Sequence, residues 1–400
     1  MKAKMPPILL LGIASGISPF AMAIVVPTLE VFAQKYQAPY STVQFIISAY
    51  LFGLAVAQPI VGFVSDKIGR RPVLITGFLL YVVASIICVT TESINALIIA
   101  RFLQGTGGSV GSVISRAIIR DTTSPEQSAK ALSRVTAIMG SAPMIAPVIG
   151  GLAYQFFGNP NDIFIITAIF GIVVLVPIFF KIPETKETKK DDLTQTVQKD
   201  TWLEKYKYLL SSKIFLGSSF IYAFTTGGFF SFLAVGSTVF SKELGIEATG
   251  FGVMWSLMTI LYSLSSFISG NLSEKYGLMK VLLSGVIINL AAGSLFFLLF
   301  YIAGFTYLTI ILPLVLMFFG HGFLVPMSTA NAVSGKLAVA GASSGLYSSI
   351  GLTIGGLFSI LSGAIYDGNF SPIAAIIMIS TMLCALSYLL VRSGERSRFD

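Results

Sequence analysis

Four charged side chains interrupt an otherwise apolar part of the sequence, between two long hydrophobic stretches. They fall within six positions: Asp66, Lys67, Arg70 and Arg71. The core of a lipid bilayer does not tolerate such a cluster, so we predict a tight polar loop at a membrane surface. Gly62 and Gly69 permit close helix approach and a sharp turn. The basic residues predict that this loop is cytoplasmic, since positive loops stay inside.

A second copy of this pattern occurs in the other half of the chain. The glycine, acid, base and glycine keep their spacing in residues 270–280, where Glu274 takes the place of the acid. Two halves with one signature indicate an internal repeat. A repeated bundle of membrane helices is typical of transporters.

Three further polar side chains lie inside apolar stretches. Arg101 lies just inside the fourth stretch, and Gln104 follows almost one turn later. A buried arginine is costly in a membrane helix, so we expect Arg101 to face a cavity, a carboxylate or carbonyls; snorkelling to the nearby interface is the alternative. His321 is the single histidine, in the tenth stretch. It could carry a proton near neutral pH or hydrogen-bond a neighbouring helix.

The composition defines the elements that hold these residues. The chain has 400 residues, of which 54% are hydrophobic and 11% charged, whereas soluble domains have about 25% charged residues. Apolar stretches of about twenty residues recur throughout. We therefore predict an all-α membrane protein with about twelve transmembrane helices in two pseudo-symmetric six-helix bundles. The bundles cover residues 1–181 and 213–400, and a charged cytoplasmic linker covers residues 182–212.

The net charge of +8 does not indicate a nucleic-acid partner. Most basic residues fall on the loops of one predicted membrane face, which sets orientation rather than a binding patch. An even number of spans then places both termini in the cytoplasm. Within the linker, residues 201–210 are expected to form a short helix on the membrane surface or a solvated tether.

Several motifs resemble those of the major facilitator superfamily. Residues 62–72 are similar to its loop motif, and residues 101–108 to its fourth-helix motif. Residues 140–151 are similar to the fifth-helix motif of its antiporters. The two prolines of that motif, with residues 115–121 before it, resemble the bicyclomycin and chloramphenicol resistance branch. The resemblance implies a monomeric exporter of small amphipathic, drug-like compounds in a bacterial inner membrane, with the proton as coupling ion and no other cofactor.

The resemblance also implies a gate on the cytoplasmic side. Asp66 would secure the two halves near the start of the eleventh span, at residues 341–345, where a carboxylate gains from the helix dipole and free amides. We expect Arg71 to pair with Asp121, at the end of the fourth span. Such contacts would break when the inside opens; a static loop is the alternative.

The fifth span carries a second set of candidate gate residues. They are Gly140, Pro143, Pro147, Gly150 and Gly151. The glycines permit close packing against a neighbour, and the prolines bend the helix and remove backbone donors. We therefore expect a bent helix that pivots between the halves, the alternative being a kinked packing helix.

The first span lacks an expected acid. Drug exporters of this family usually carry an aspartate four residues before the proline of this helix, and here that position is Ala23. Glu30 is the nearest acid in the sequence. It is either a proton carrier or an interfacial residue. By resemblance, the central cavity is formed by spans 1, 4, 7 and 10. The candidate cavity residues are Ser18, Met22, Arg101, Gln104, Tyr222, Phe224, Phe229, Phe230, His321 and Asn331.

Two other functions remain open. Ala23 favours a facilitator or an importer of a small metabolite without proton coupling. A receptor or scaffold that transports nothing is the second alternative, although the linker is too short for a folded sensor domain. The sequence contains no phosphate-binding loop, no Cys/His metal cluster and no enzyme constellation, so we expect neither an ATP-driven pump nor an enzyme.

Overall fold

The computed structural model of the chain is almost entirely helical. It describes residues 5–43, 45–186, 202–245, 248–304, 306–334, 340–366 and 369–396. The first half forms α1 (Ile8–Ala23), α2 (Leu29–Tyr36), α3 (Tyr40–Val43), α4 (Phe45–Ile68), α5 (Arg70–Thr90), α6 (Ile94–Thr122), α7 (Pro125–Phe157) and α8 (Ile163–Lys181). The linker contains α9 (Trp202–Ser211). The second half forms α10 (Lys213–Leu244), α11 (Ala248–Tyr276), α12 (Leu278–Ala303), α13 (Tyr307–Ala332), α14 (Ala340–Ile365) and α15 (Ser371–Arg396).

Twelve of these helices correspond to the predicted membrane spans. Eleven are long and apolar enough to cross a membrane, and the twelfth is the shorter apolar helix α1. Pro19 lies inside α1, and Pro27 lies in the 3-10 turn Val26–Thr28 that follows it. The proline breaks therefore fall where the sequence predicts them, and the described residues contain no β-strand.

The signature residues are not a loop, which corrects the prediction. Helix α4 continues through Asp66 and Lys67 to Ile68, and α5 begins at Arg70, so Gly69 alone separates the two helices. Gly69 has φ 111°, and Gly277 between α11 and α12 has φ 87°. Only glycine adopts such values readily. The repeat therefore preserves the backbone turn even where its side chains have diverged.

The two halves pack through two related pairs of helices. We call the membrane face that contains Gly69 and Gly277 the signature face. Across the interface, α4 packs against α14 and α7 packs against α11. In order of membrane crossing these are the second helix with the eleventh and the fifth with the eighth. Exchanging the halves converts one pair into the other, as expected for an internal repeat.

Helix α9 docks on the protein, which differs from the predicted solvated tether. Tyr206 and Leu209 are buried, together with Tyr347 of α14 in one apolar cluster. The Tyr206 hydroxyl donates to the carbonyl oxygen of Pro59 in α4 at 2.7 Å. The end of the linker is therefore attached to the first half at the signature face. The linker prediction for residues 187–201 lies outside the described residues.

Candidate substrate cavity and gate

A large cavity lies between the two halves. Its volume is about 3320 Å³, and helices α1, α4, α7, α10, α11, α13 and α14 contribute most of its walls. The lining extends to Gln34, Gln155 and Tyr366, which lie at or beyond helix ends on the face opposite the signature. Toward the signature face it ends near Pro59 and Arg116. The cavity therefore opens toward the opposite face and has a floor toward the signature face.

Six of the candidate cavity residues line this space. They are Ser18, Met22, Tyr222, Phe229, Phe230 and His321. Aromatic and methionine side chains adapt to apolar ligands of different shapes, as a cavity for amphipathic solutes requires. The Ser18 hydroxyl is already bonded to the carbonyl oxygen of Gly108 at 2.8 Å, so it contributes a polar wall rather than a free donor.

Phe224 and Asn331 do not line the cavity, contrary to the prediction. Phe224 packs on Phe220 and Phe358, with ring centroids 5.9 and 6.1 Å away. Two residues past Tyr222 a helix has turned by about 200°, so these neighbours face opposite sides. Asn331 is buried at the signature-face end of α13, where its Nδ2 lies 4.0 Å from the sulfur of Met279.

Arg101 is sealed inside the first half, where it bonds a carbonyl, one of the predicted partners, and it lies neither in the cavity nor at a surface. It is fully buried and is not among the cavity lining. Its Nε donates to the carbonyl oxygen of Ile46 at 3.0 Å, and its guanidinium lies 4.2 Å from the Tyr50 ring centre. Backbone and ring dipoles thus hold the charge, and Nη2 has no hydrogen-bond partner among the described residues.

Gln104 extends the same internal network. Its Oε1 accepts from Nη1 of Arg101 at 2.5 Å, and its Nε2 donates to Ser85 at 2.7 Å and to Thr167 at 3.1 Å. These partners lie on α5 and α8. The fourth-helix motif therefore ties α4, α5, α6 and α8 together through Arg101 and Gln104, while its Phe102 lines the cavity.

His321 lies in the cavity wall among aromatic rings. Its ring centre is 5.3 Å from that of Phe229 and 5.5 Å from that of Tyr262. Its Nδ1 is buried and has no hydrogen-bond partner in the described part of the chain. The predicted bond to a neighbouring helix is therefore absent for this nitrogen, and the side chain is available to a proton or a solute.

The sequence reasoning missed Arg116. This arginine lies in the last third of α6, is buried, and lines the floor of the cavity. Its Nη1 donates a short hydrogen bond to the hydroxyl of Ser348 on α14, in the other half. An arginine inside an apolar stretch indicates a functional site. Arg116 was missed because residues 115–121 were considered only for their resemblance to a branch of the family.

The floor is closed by the acid of the signature. Asp66 is 2% exposed, and its two carboxylate oxygens accept from the backbone amides of Gly341 and Ala342 at 3.0 Å each. These amides belong to the first turn of α14, where helix N–H groups lack internal partners. The predicted contact between Asp66 and the start of the eleventh span is present.

Arg70, and not Arg71, completes this cluster. Arg70 is buried and bridges Asp66 at 2.6 Å and Asp121 at 2.9 Å. Arg71 instead donates to the carbonyl oxygen of Phe179 at 2.8 Å. Successive residues of a helix differ by about 100° in direction, so only one of the two arginines at the start of α5 can face inward. The prediction that Arg71 pairs with Asp121 is wrong.

Further contacts join the halves at the signature face. Arg120 donates to the carbonyl oxygens of Val333 and Ser334 at 2.9 and 3.1 Å. A Cβ at Gly62 would collide with the backbone of Gly341, so α4 and α14 touch directly there. At the second copy of the motif, Glu274 pairs with Lys130 at 2.6 Å; these side chains are 44% and 28% exposed.

The fifth-helix motif lies between α1 and α11. A Cβ at Gly140 would collide with the ring of Tyr262 on α11, and one at Gly150 would collide with the carbonyl of Ile24. Gly151 meets nothing within 4 Å and lines the cavity, so it is not a packing glycine. Helix α7 is continuous through both motif prolines, which are Pro143 and Pro147.

None of the described residues that line the cavity is an aspartate or a glutamate. Ala23 lies at the cavity surface, where the resemblance implies an aspartate. The side chain of Glu30 lies outside the described residues. Among the lining residues that the structure describes, Arg116 alone is charged. No cluster of His, Cys, Asp and Glu that could hold a metal ion occurs in the described ranges.

Two repeated helical halves with a cavity between them define a membrane-embedded transporter. A family model described as Major Facilitator Superfamily matches residues 11–360, and the chain belongs to this family. It is therefore a multi-pass membrane transport protein and not an enzyme, as predicted.

Curated relatives lie in the branch that the motifs suggest. The chain is 26% identical over 396 residues to a bicyclomycin resistance protein homolog of Haemophilus influenzae, covering 96% of each chain. It is 26% identical over 359 residues to multidrug resistance protein D of Escherichia coli, covering 90% of this chain and 86% of the relative.

Solved structures share the fold. The human organic anion transporter MFSD10 superposes with a TM-score of 0.74 at 19% identity and covers 96% of this chain and 98% of its own. The proton:xylose symporter XylE superposes with a TM-score of 0.76 at 14% identity, with coverages of 96% and 94%. At these identities the likeness concerns the fold alone.

Proposed function

We propose that this protein exports small amphipathic, drug-like compounds across a bacterial inner membrane by proton antiport with alternating access. The observation that carries the proposal is the large cavity between the halves, open at one face and closed at the other by Asp66 and its partners. The drug-resistance names of the relatives favour export. We further propose that the protein acts as a monomer in lipid.

The proposed cycle uses the signature face as the inner gate. Basic side chains are concentrated there, so we assign that face and both termini to the cytoplasm. The described state is then open to the outside. Solute release to the outside would be followed by separation of α4 from α14, which requires Asp66 to leave the amides of Gly341 and Ala342. Solute would then enter from the cytoplasm.

Proton coupling requires a group in the cavity that can gain and lose a proton. His321 lies in the wall, and imidazole titrates near neutral pH in water. Glu30 is the nearest acid in the sequence of the first span. Ala23 cannot carry a proton, which specifically favours the alternative of a facilitator that lets solute equilibrate without coupling.

Purified protein in proteoliposomes distinguishes these functions. We would impose a pH gradient, add chloramphenicol outside, and follow solute uptake and internal pH together. Antiport predicts solute accumulation above equilibrium while the pH gradient runs down. A facilitator predicts equilibration without a solute-dependent change in internal pH. Absence of movement for chloramphenicol and for a panel of cationic, neutral and anionic drugs would refute transport of such compounds.

A further inference from the structure

The floor of the cavity carries an isolated positive charge. Arg116 is 8% exposed and is the one charged residue among the described lining. Its guanidinium has five N–H donors, and the structure gives it one hydrogen bond among the described residues, to Ser348. Most of its donor capacity is therefore unused at the deepest point that a solute entering the cavity can reach.

Among the residues that the structure describes, no acidic side chain forms an ion pair with Arg116. The nearest ring is that of Tyr347, 5.8 Å from the guanidinium carbon. The acids of the inner gate, Asp66 and Asp121, are already bonded to Arg70. A buried charge without a counter-ion is costly in a membrane protein and usually marks a ligand or ion pathway.

Other polar groups line the cavity with Arg116. Gln58 in α4 is 4% exposed, and its Oε1 has no hydrogen-bond partner among the described residues. Thr226 on α10 is 5% exposed and adds a hydroxyl that lies close to the side chain of Tyr222. Both residues line the cavity. The floor thus combines one cation with polar groups that can bind the remaining oxygens of a ligand.

We propose that Arg116 forms an anion subsite, and that the cavity selects amphipathic solutes with a carboxylate or a comparable acidic group over organic cations. The proposal rests on the proposed transport function and specifies its substrate class. The acidic group would bind at the floor, and the apolar body would lie against the aromatic wall around Phe229 and Phe230. Because Ser348 belongs to the other half, a solute that takes over this hydrogen bond also removes a contact between the halves.

The fluorescence of Trp255 can report ligand binding in the cavity, which tests the proposal without a transport assay. Trp255 lines the cavity and is one of two tryptophans, so Trp202→Phe leaves it as the sole reporter. In a neutral detergent at pH 7.5 its fluorescence would be titrated with 4-phenylbutyrate, 4-phenylbutanol and 4-phenylbutylamine. These probes share one apolar body and differ in the charge of the polar end.

The charge of the probe should decide affinity. A charge-assisted hydrogen bond favours the carboxylate over the alcohol by roughly 10- to 100-fold in Kd, and the ammonium should bind more weakly than either. Arg116→Gln should bring the three Kd values within about threefold of one another. Arg116→Lys should keep the preference for the carboxylate. Arg392→Gln removes the same charge from an exposed site at the end of α15 and should change nothing.

Each contrary outcome has a distinct meaning. Equal affinities for the three probes in the wild-type cavity would overturn the anion subsite and leave the transport proposal intact. A carboxylate preference that survives in a folded Arg116→Gln variant would assign the subsite to another residue and overturn the role of Arg116. Failure of all three probes to bind would also overturn the subsite; chloramphenicol movement in proteoliposomes would then decide the transport function separately.

Discussion

Replacement of Asp66 by asparagine should open the inner gate. The substitution preserves the shape of the side chain and one acceptor oxygen, but it removes the charge that faces Arg70 at 2.6 Å and two amides of α14 at 3.0 Å. Only the bonds to the amides of Gly341 and Ala342 cross between the halves, because Arg70 belongs to the same half as Asp66. A hydrogen bond to a charged group contributes about 1.5–3 kcal/mol and a neutral one about 0.5–1.5 kcal/mol. Asparagine keeps one neutral acceptor for these two amides, so we expect a loss of about 2–3 kcal/mol across the interface.

That loss applies only to the state in which α4 and α14 are joined. It should therefore shift the equilibrium toward the state with an open signature face by about 30- to 160-fold, at 1.36 kcal/mol per factor of ten. Transport should slow, because each cycle must return through the destabilised closed gate. The protein should remain folded, since within the first half Arg70 keeps its ion pair with Asp121.

Distances between spin labels can measure this shift. Lys181 and Lys275 are exposed at the signature face, one in each half, and can be changed to cysteine after Cys88 and Cys384 are replaced by alanine. Double electron–electron resonance should show a longer distance in Asp66→Asn than in the parent.

The chain offers a matched control for this experiment. Glu274→Gln alters the corresponding acid of the second copy, which makes an exposed pair with Lys130 worth at most about 1 kcal/mol. We expect almost no change in the label distance or in transport. Equal effects of the two substitutions, or an unchanged distance in Asp66→Asn, would refute the assignment of Asp66 as the gate.

Other substitutions separate structural from functional roles. Arg101→Ala should lower the free energy of unfolding by roughly 2–4 kcal/mol, seen as a lower melting temperature, without changing probe selectivity, because Arg101 lies outside the cavity. His321→Gln should flatten the pH dependence of solute flux if His321 carries the coupled proton; an unaltered pH profile removes it from that role. Gly140→Ala should reduce transport about tenfold by forcing α7 from Tyr262, whereas Gly151→Ala, which meets open space, should leave transport unchanged. Equal activities for the two alanine variants would contradict the pivot at α7.

The membrane helices could be predicted closely from the sequence because the bilayer constrains them directly. Apolar length sets where a helix crosses, and charges set where it ends. The predicted count of about twelve spans matches eleven helices that are long and apolar enough to cross a membrane and the shorter apolar helix α1. The contact of Asp66 with α14 was predicted through the family resemblance, and its physical reason is that a carboxylate gains from free amides at a helix N-terminus.

The side of a helix that a residue faces could not be predicted in the same way. The polar residues of α10, such as Ser218, Thr226 and Ser231, do not form one stripe along the helix, so the sequence does not distinguish Tyr222 in the cavity from Phe224 in the bundle. The choice between Arg70 and Arg71 depends on the direction in which α5 leaves Gly69, which the positive φ of that glycine sets. Both facts depend on the positions of neighbouring helices.

The two arginines inside α6 show why residue type alone does not define a site. Arg101 and Arg116 are separated by fifteen positions, which places them only about 60° apart around the helix. Their roles differ because the two arginines lie near opposite ends of α6. Near the opposite face α4 packs over α6, so the carbonyl of Ile46 and the ring of Tyr50 surround Arg101. Near the signature face α14 meets α6, and Arg116 lies where the two halves join. An arginine held within one half can only stabilise that half. An arginine at the junction experiences a different environment whenever the halves move. Arg116 is therefore the residue through which a bound anion can influence the gate.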